Sequence, residues 1–152
     1  MMPLALPAFS YKTKYTLGKI YILDLLRKKY LLLTQEEWVR QHMLNYLMHH
    51  LHYPKGLFRL EKKINDALGC YRPDIVLFDR LGRAKIIVEC KAPNITLTHR
   101  TLKQIMHYNS MLTASILVIT NGITHFCWEL EQNAQQFKPM DHIPSYQESK
   151  PI

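Results

Sequence analysis

The sequence predicts an α/β domain, a mixed β-sheet with helices packed on it, and three observations predict it. A capped helical segment precedes three short β-rich runs, a second capped helix follows, and two more β-rich runs flank an Asn-Gly turn. The chain has 152 residues, 47% of them hydrophobic, which suits one domain with a true core. Only 5 Gly and 8 Pro occur and no tract repeats, which excludes a fibrous or disordered chain. The expected organisation is a single domain over residues 1–152, with a core from about 20 to 130 and a polar tail over 131–152.

Thr34-Gln35-Glu36-Glu37 reads as a capping box, in which the Thr34 hydroxyl accepts from the Glu37 N–H and the Glu37 carboxylate reaches back. The helix should run to about residue 51, with Trp38, Val39, Met43, Tyr46 and Leu47 supplying apolar contacts, until Pro54 and Gly56 stop it. Leu57 to Ile64 alternates loosely, as a first strand would. Ile75 to Phe78 and Ala84 to Cys90 are firmer strands joined by a turn at Asp79-Arg80-Leu81-Gly82. Thr98 caps a second helix to about Leu112. Ser115 to Thr120 and Ile123 to Leu130 form a hairpin around Asn121-Gly122. Beyond residue 131 the polar composition, with Pro139 and Pro144, reads as a loosely packed tail.

Twenty Lys and Arg against 12 Asp and Glu leave a formal charge of +8, which favours polyanionic partners. The excess is uneven: +5 over residues 1–30, +1 over 31–70, +4 over 71–110 and −2 over 111–152. The first block owes its charge to Lys12, Lys14, Lys19, Arg27, Lys28 and Lys29, which read equally well as a plain solvated surface. Cys70, Cys90 and Cys127 lack a C-x-x-C spacing, which argues against structural zinc and suits a reducing compartment. His49, His50 and His52 read as a polar helix terminus rather than a metal site. The apolar run Tyr30-Leu31-Leu32-Leu33 is too short to span a membrane and the opening segment too short for a secretory core, so a cytoplasmic chain with no membrane partner is expected.

The strands Ile75 to Phe78 and Ala84 to Cys90 are almost wholly apolar, which makes the charges gathered at one end of them conspicuous. Asp74 opens one strand, and Glu89-Cys90-Lys91 closes the next. Residues two apart share a strand face, so Glu89 and Lys91 project together while Cys90 turns to the core. A hairpin through Gly82 brings Asp74 beside them. Two converging carboxylates with the Cys90 backbone carbonyl make an oxygen-rich site suited to Mg²⁺ or Mn²⁺. Such a cation polarises a phosphodiester and lowers the pKa of a bound water, and Lys91 would orient that water or neutralise charge on the phosphate. Gln104 and Tyr108, four apart on one helical face, would contact backbone phosphates or brace the lysine. Arg72 is a further candidate for DNA contact, or a plain partner for Asp74.

Pro73-Asp74, Glu89-Cys90-Lys91 and Gln104-x-x-x-Tyr108 resemble the motifs of the PD-(D/E)XK nuclease superfamily, the last as in its RecB-like branch. Over about residues 20 to 130, the runs Glu36 to Gln41, Tyr71 to Val76, Val88 to Pro93 and Thr120-Asn121-Gly122 resemble the N-terminal nuclease domain of type I restriction enzyme R subunits. The resemblance implies a restriction-endonuclease-like core and a DNA endonuclease activity. It also implies a divalent metal on Asp74 and Glu89, Lys91 as catalytic lysine, and support from Gln104 and Tyr108. The superfamily often adds a glutamate; Glu36, Glu37 and Glu61 compete for that role, with Glu61 favoured. No G-x-x-x-x-G-K-[ST] loop occurs, so the chain is expected to act alone or beside a separate motor or specificity subunit. A homodimer would supply two sites for two strands. The alternative is a non-catalytic DNA-binding or interaction module that keeps the fold.

Overall fold

In the computed structural model, which describes residues 1–61, 64–66, 69–131 and 136–149, the chain begins with an antiparallel meander. Strands β1 (Thr13–Thr16), β2 (Lys19–Asp24) and β3 (Lys29–Leu32) pair in that order. Leu17 and Gly18, both at positive φ (50° and 73°), make the first turn, a two-residue loop whose twist matches the strands it joins. Asp24 builds the second, accepting the N–H groups of Leu26 and Arg27 at 2.9 Å each. The sequence reading placed no element here, because lysines and tyrosines replace the apolar alternation that marks a strand and Leu-Gly is not a standard hairpin signal.

Helix α1 spans Gln35–Asn45 and continues as a π-helical turn over Tyr46–His50. The Thr34 hydroxyl accepts the Glu37 N–H at 3.0 Å, as expected. The return half of the box does not form: the Glu37 carboxylate pairs with Arg40 and accepts from Gln41 Nε2 at 2.8 Å. A buried cation close by outbids a single backbone N–H for that carboxylate. Eight consecutive residues of α1, Glu37 to Leu44, are buried. Such a helix lies between two layers, which explains its polar yet inaccessible residues.

A 3₁₀ turn (Lys55–Leu57) leads into β4 (Phe58–Leu60), shorter than the strand expected over Leu57 to Ile64, part of which lies outside the described residues. A small antiparallel pair follows, β5 (Ile64–Asp66) with β6 (Gly69–Tyr71). Then come β7 (Ile75–Phe78), β8 (Ala84–Cys90), α2 (His99–Leu112), β9 (Ile116–Thr120), β10 (His125–Glu131) and β11 (Gln136–Met140). The main sheet has six strands in the order β11-β10-β9-β8-β7-β4. The β8–β9 pair is parallel, joined through α2, whereas β7–β8 and β9–β10 are antiparallel hairpins.

Alternation along the central strands gives the sheet two apolar faces. Ile75, Leu77, Ile86, Val88, Ile116 and Val118 pack with Val39, Met43 and Leu47 of α1 and its extension. Val76, Ile87, Leu117 and Ile119 pack with Ile105 of α2. The polar tail is corrected by β11, which extends the sheet. Beyond it Ile143 is buried, the Tyr53 hydroxyl donates to the Pro144 carbonyl at 2.9 Å, and the Tyr146 N–H donates to Leu51 O at 2.8 Å. Residues 132–135 and 150–152 of that segment lie outside the described residues. No helix among the described residues is long and apolar enough to cross a membrane.

Candidate active site

The register of β7 on β8 pairs Ile75 with Val88, which sets Asp74 opposite Glu89 one position further on. Both lie where β8 and its parallel neighbour β9 end, the edge at which open α/β sheets usually bind ligands. Asp74 Oδ2 accepts the Cys90 N–H at 2.8 Å, and Arg40 Nη1 of α1 stands 3.4 Å from Oδ1. Glu89 Oε1 accepts from Lys91 Nζ and from Gln104 Nε2, each at 2.8 Å. Glu89 Oε2 is buried with no hydrogen-bond partner among the described residues. Asp74, Glu89 and Lys91 therefore gather at one end of the sheet, and the side chain of Cys90 is fully buried.

Both carboxyls are held above the usual carboxylate range. For Asp74 the main cause is burial, with the Cys90 N–H and Arg40 pulling the other way. For Glu89 burial comes first and the neighbouring Asp74 charge second. Burial disfavours the Lys91 ammonium, but its bond to Glu89 and the charges of Glu89, Glu36 and Asp74 outweigh that and keep it protonated. Burial also pushes the Cys90 thiol well up, which leaves it no nucleophilic role.

Of the three glutamates that compete to join the pair, two are already engaged. Glu61 Oε1 accepts from Arg40 at 2.7 Å and its Oε2 from Arg27 at 3.2 Å. Glu37 is held by Arg40 and Gln41. Glu36, exposed in the first turn of α1, is the one whose charge raises Asp74, Glu89 and Lys91 together. Gln104 bonds Glu89 rather than the lysine, and also donates to the Tyr108 hydroxyl at 2.7 Å. Tyr108 is 5% exposed, so it supports Gln104 from below instead of presenting a free hydroxyl to phosphate. Arg72 is exposed, and it is Arg40, not Arg72, that pairs with Asp74. Sequence reasoning missed Arg40. Its signal was a cation in the apolar stripe at three and seven residues before Met43 and Leu47.

Among the described residues no three His, Cys, Asp or Glu side chains cluster as a ready metal cage. The side-chain donors that the structure brings together are two carboxylates, hard oxygen ligands, and one of their oxygens has no hydrogen-bond partner among the described residues. Such hard oxygen donors suit a hard divalent cation such as Mg²⁺ or Mn²⁺.

A six-stranded mixed sheet with a helix against each face and paired carboxylates at the carboxyl end of its parallel strands defines a restriction-endonuclease-like α/β protein. Residues 35–144 match the family described as type I restriction enzyme R protein N terminus, and the chain belongs to that family. Its fold is similar to a solved fragment assigned as an HsdR subunit of a type I restriction enzyme from Vibrio vulnificus YJ016, at a TM-score of 0.53 and 16% identity. The match covers 76% of this chain but 24% of that one, so the chain spans about a quarter of the solved fragment's length. No curated protein matches the sequence.

Proposed function

We propose that this chain is a divalent-metal-dependent DNA endonuclease domain. Asp74, Glu89 and the Cys90 carbonyl would hold Mg²⁺ or Mn²⁺, with Glu36 completing the set from α1. The observation that carries this reading is Glu89, one oxygen clamped by Lys91 and Gln104 and the other buried, without a partner among the described residues, next to a second buried carboxylate. Leaving a charged oxygen so is costly unless a cation or a proton meets it. When bound, the cation supplies Lewis acidity toward a phosphodiester oxygen and a water of lowered pKa. The chain's own groups do the rest. Lys91, kept as an ammonium, neutralises charge that builds on the phosphate. Gln104, seated on Tyr108, fixes the rotamer of Glu89, and the Cys90 N–H fixes that of Asp74. The solved relative is titled an HsdR subunit, and this sequence has no phosphate loop of its own, so the domain would work within a larger restriction assembly that supplies a motor.

The test is cleavage of plasmid and linear DNA with Mg²⁺ or Mn²⁺ by wild type, Lys91→Ala and Glu89→Gln. Loss of one transition-state stabiliser should slow cutting by about 10²–10³-fold. Equal cutting by wild type and Lys91→Ala would overturn the assignment. Mn²⁺ at about 100 times its Kd should stabilise the protein by about 2.7 kcal/mol, and Asp74→Asn should remove that gain. DNA binding with neither cleavage nor a metal response would instead establish the non-catalytic binding module.

A further inference from the structure

A groove of about 410 Å³ runs between the β2–β3 turn and the edge strand β4. Arg27, Lys29, Lys55 and Arg59 line it, with Glu61 as its one carboxylate. Both oxygens of Glu61 are already engaged, by Arg40 and by Arg27. Among the described residues no carboxylate makes a direct ion pair with Lys29, Lys55 or Arg59, and all three are exposed. Arg59 donates from Nη1 to the Gly56 and Phe58 carbonyls at 3.1 and 2.7 Å, which lowers the rotamer freedom it has to give up on binding. A second groove of about 270 Å³, beside Asn94, Thr96, Asn121 and Phe126, has no charged residue in its lining.

The basic groove adjoins the carboxylate pair. Glu61 in its wall contacts Arg40 at 2.7 Å, and the same Arg40 nitrogen is 3.4 Å from Asp74. A nucleic-acid strand carries one charge about every 3.4 Å of helix axis, so phosphates next to one held at Asp74 and Glu89 fall within reach of the groove. We propose that this groove is a subsite for the DNA phosphodiester backbone flanking the scissile phosphate. The inference rests on the endonuclease reading for the word scissile, but the backbone subsite itself is testable without cleavage.

The experiment is fluorescence anisotropy of a labelled DNA duplex against salt, with Ca²⁺ in place of Mg²⁺, on the full chain. The paired substitution Lys55→Gln, Arg59→Gln should make the log–log salt slope shallower by about 1.8, about 0.9 for each lost phosphate contact. Lys12→Gln, Lys14→Gln is the control of equal charge. By register Lys14 shares a sheet face with Tyr21, opposite to the face of Asp24 and Lys29, and its slope should stay that of wild type. If the groove pair lowers the melting temperature, Lys29→Gln alone should still shift the slope by about 0.9. No DNA binding by wild type, an unchanged slope in the groove variants, or an equal change in the control would each overturn the proposal. So would a groove-dependent slope seen only with an RNA duplex. Cleavage measured with Mg²⁺ on the same proteins separates the two readings. Binding that depends on the groove without any cutting removes the endonuclease and keeps the subsite; cutting with an unaltered slope does the reverse.

Discussion

In the six-stranded sheet, β7, β8 and β9 bury most of their side chains, and apart from Lys85 at the start of β8 they admit charge only where β7 begins and β8 ends. In the three-stranded sheet, β1 buries nothing, and β2 buries only Ile22 and Asp24. The first layer is held by apolar area on both faces. The second buries little apolar area, Ile22 in β2 and Leu26 of the β2–β3 turn against the main core, and is tied on further by polar contacts: Gln41 Nε2 donates to Asp24 Oδ2 at 3.1 Å, and Arg27 meets Glu61 at 3.2 Å. The contrast teaches that the basic sheet is an attachment whose geometry depends on a few named bonds, whereas the carboxylate site rests on a packed foundation. Arg40 belongs to both, since it touches Glu37, Glu61 and Asp74 from the helix that lies between the layers.

Substitutions that act on this contrast should separate the two layers in order of cost. Arg40→Met leaves three carboxylates without their shared cation and should lower stability the most, by about 3–5 kcal/mol in urea unfolding. Leu117→Ala opens a cavity in the fully buried centre of the main sheet and should cost about 2–5 kcal/mol. Asp24→Ala removes acceptors for Leu26, Arg27 and Gln41. A loss of about 1–3 kcal/mol is expected, seen as faster amide exchange in β2 and β3 with the main sheet still protected. Uniform acceleration across both sheets would show that they unfold as one and dissolve the comparison. At the other extreme, Leu17→Ala in the 91% exposed first turn should change stability by less than about 0.5 kcal/mol.

Acidity should sharpen the comparison further. Burial lowers the pKa of His42 and of His125, which hold the N-terminal arm through a ring contact with Phe9 at 4.7 Å and a contact with Ala5 O at 3.2 Å. The folded protein therefore binds fewer protons than the unfolded chain between those lowered values and the ordinary 6.5. This contribution is present above that window and is lost as pH falls through it. The melting temperature should drop on acidification, with faster exchange at the Ala5 N–H, which bonds Gly122 O at 2.7 Å. Asp74 and Glu89, raised in the folded state, act in the opposite sense. A melting temperature that rises on mild acidification of metal-free protein would assign the response to them instead.

Much of the main sheet was legible from residue order. Ile75 to Phe78, Ala84 to Cys90 and the Asn121-Gly122 hairpin carry strong local signals, and strand alternation placed Glu89 with Lys91 and turned Cys90 away. The basic meander, the strand Gln136–Met140 and the buried role of Arg40 were not legible. The meander and the last strand pair with their neighbours in the chain but lack an apolar alternation to announce them, whereas Arg40 is defined by Glu61 and Asp74, 21 and 34 residues away. A β-strand at a sheet edge needs only backbone pairing, which composition does not encode.

What the amino-acid order determined by itself is periodicity: which runs become strands or helices, and which charged side chains share a face. The tertiary structure decided how three competing glutamates were divided. Arg40 and Arg27 took Glu61, Arg40 and Gln41 took Glu37, and Glu36 was left to act on the buried pair. The reason is physical. Local geometry sets direction along a strand or helix, but a carboxylate's partner is set by distance and burial, and both arise only when the layers close on one another.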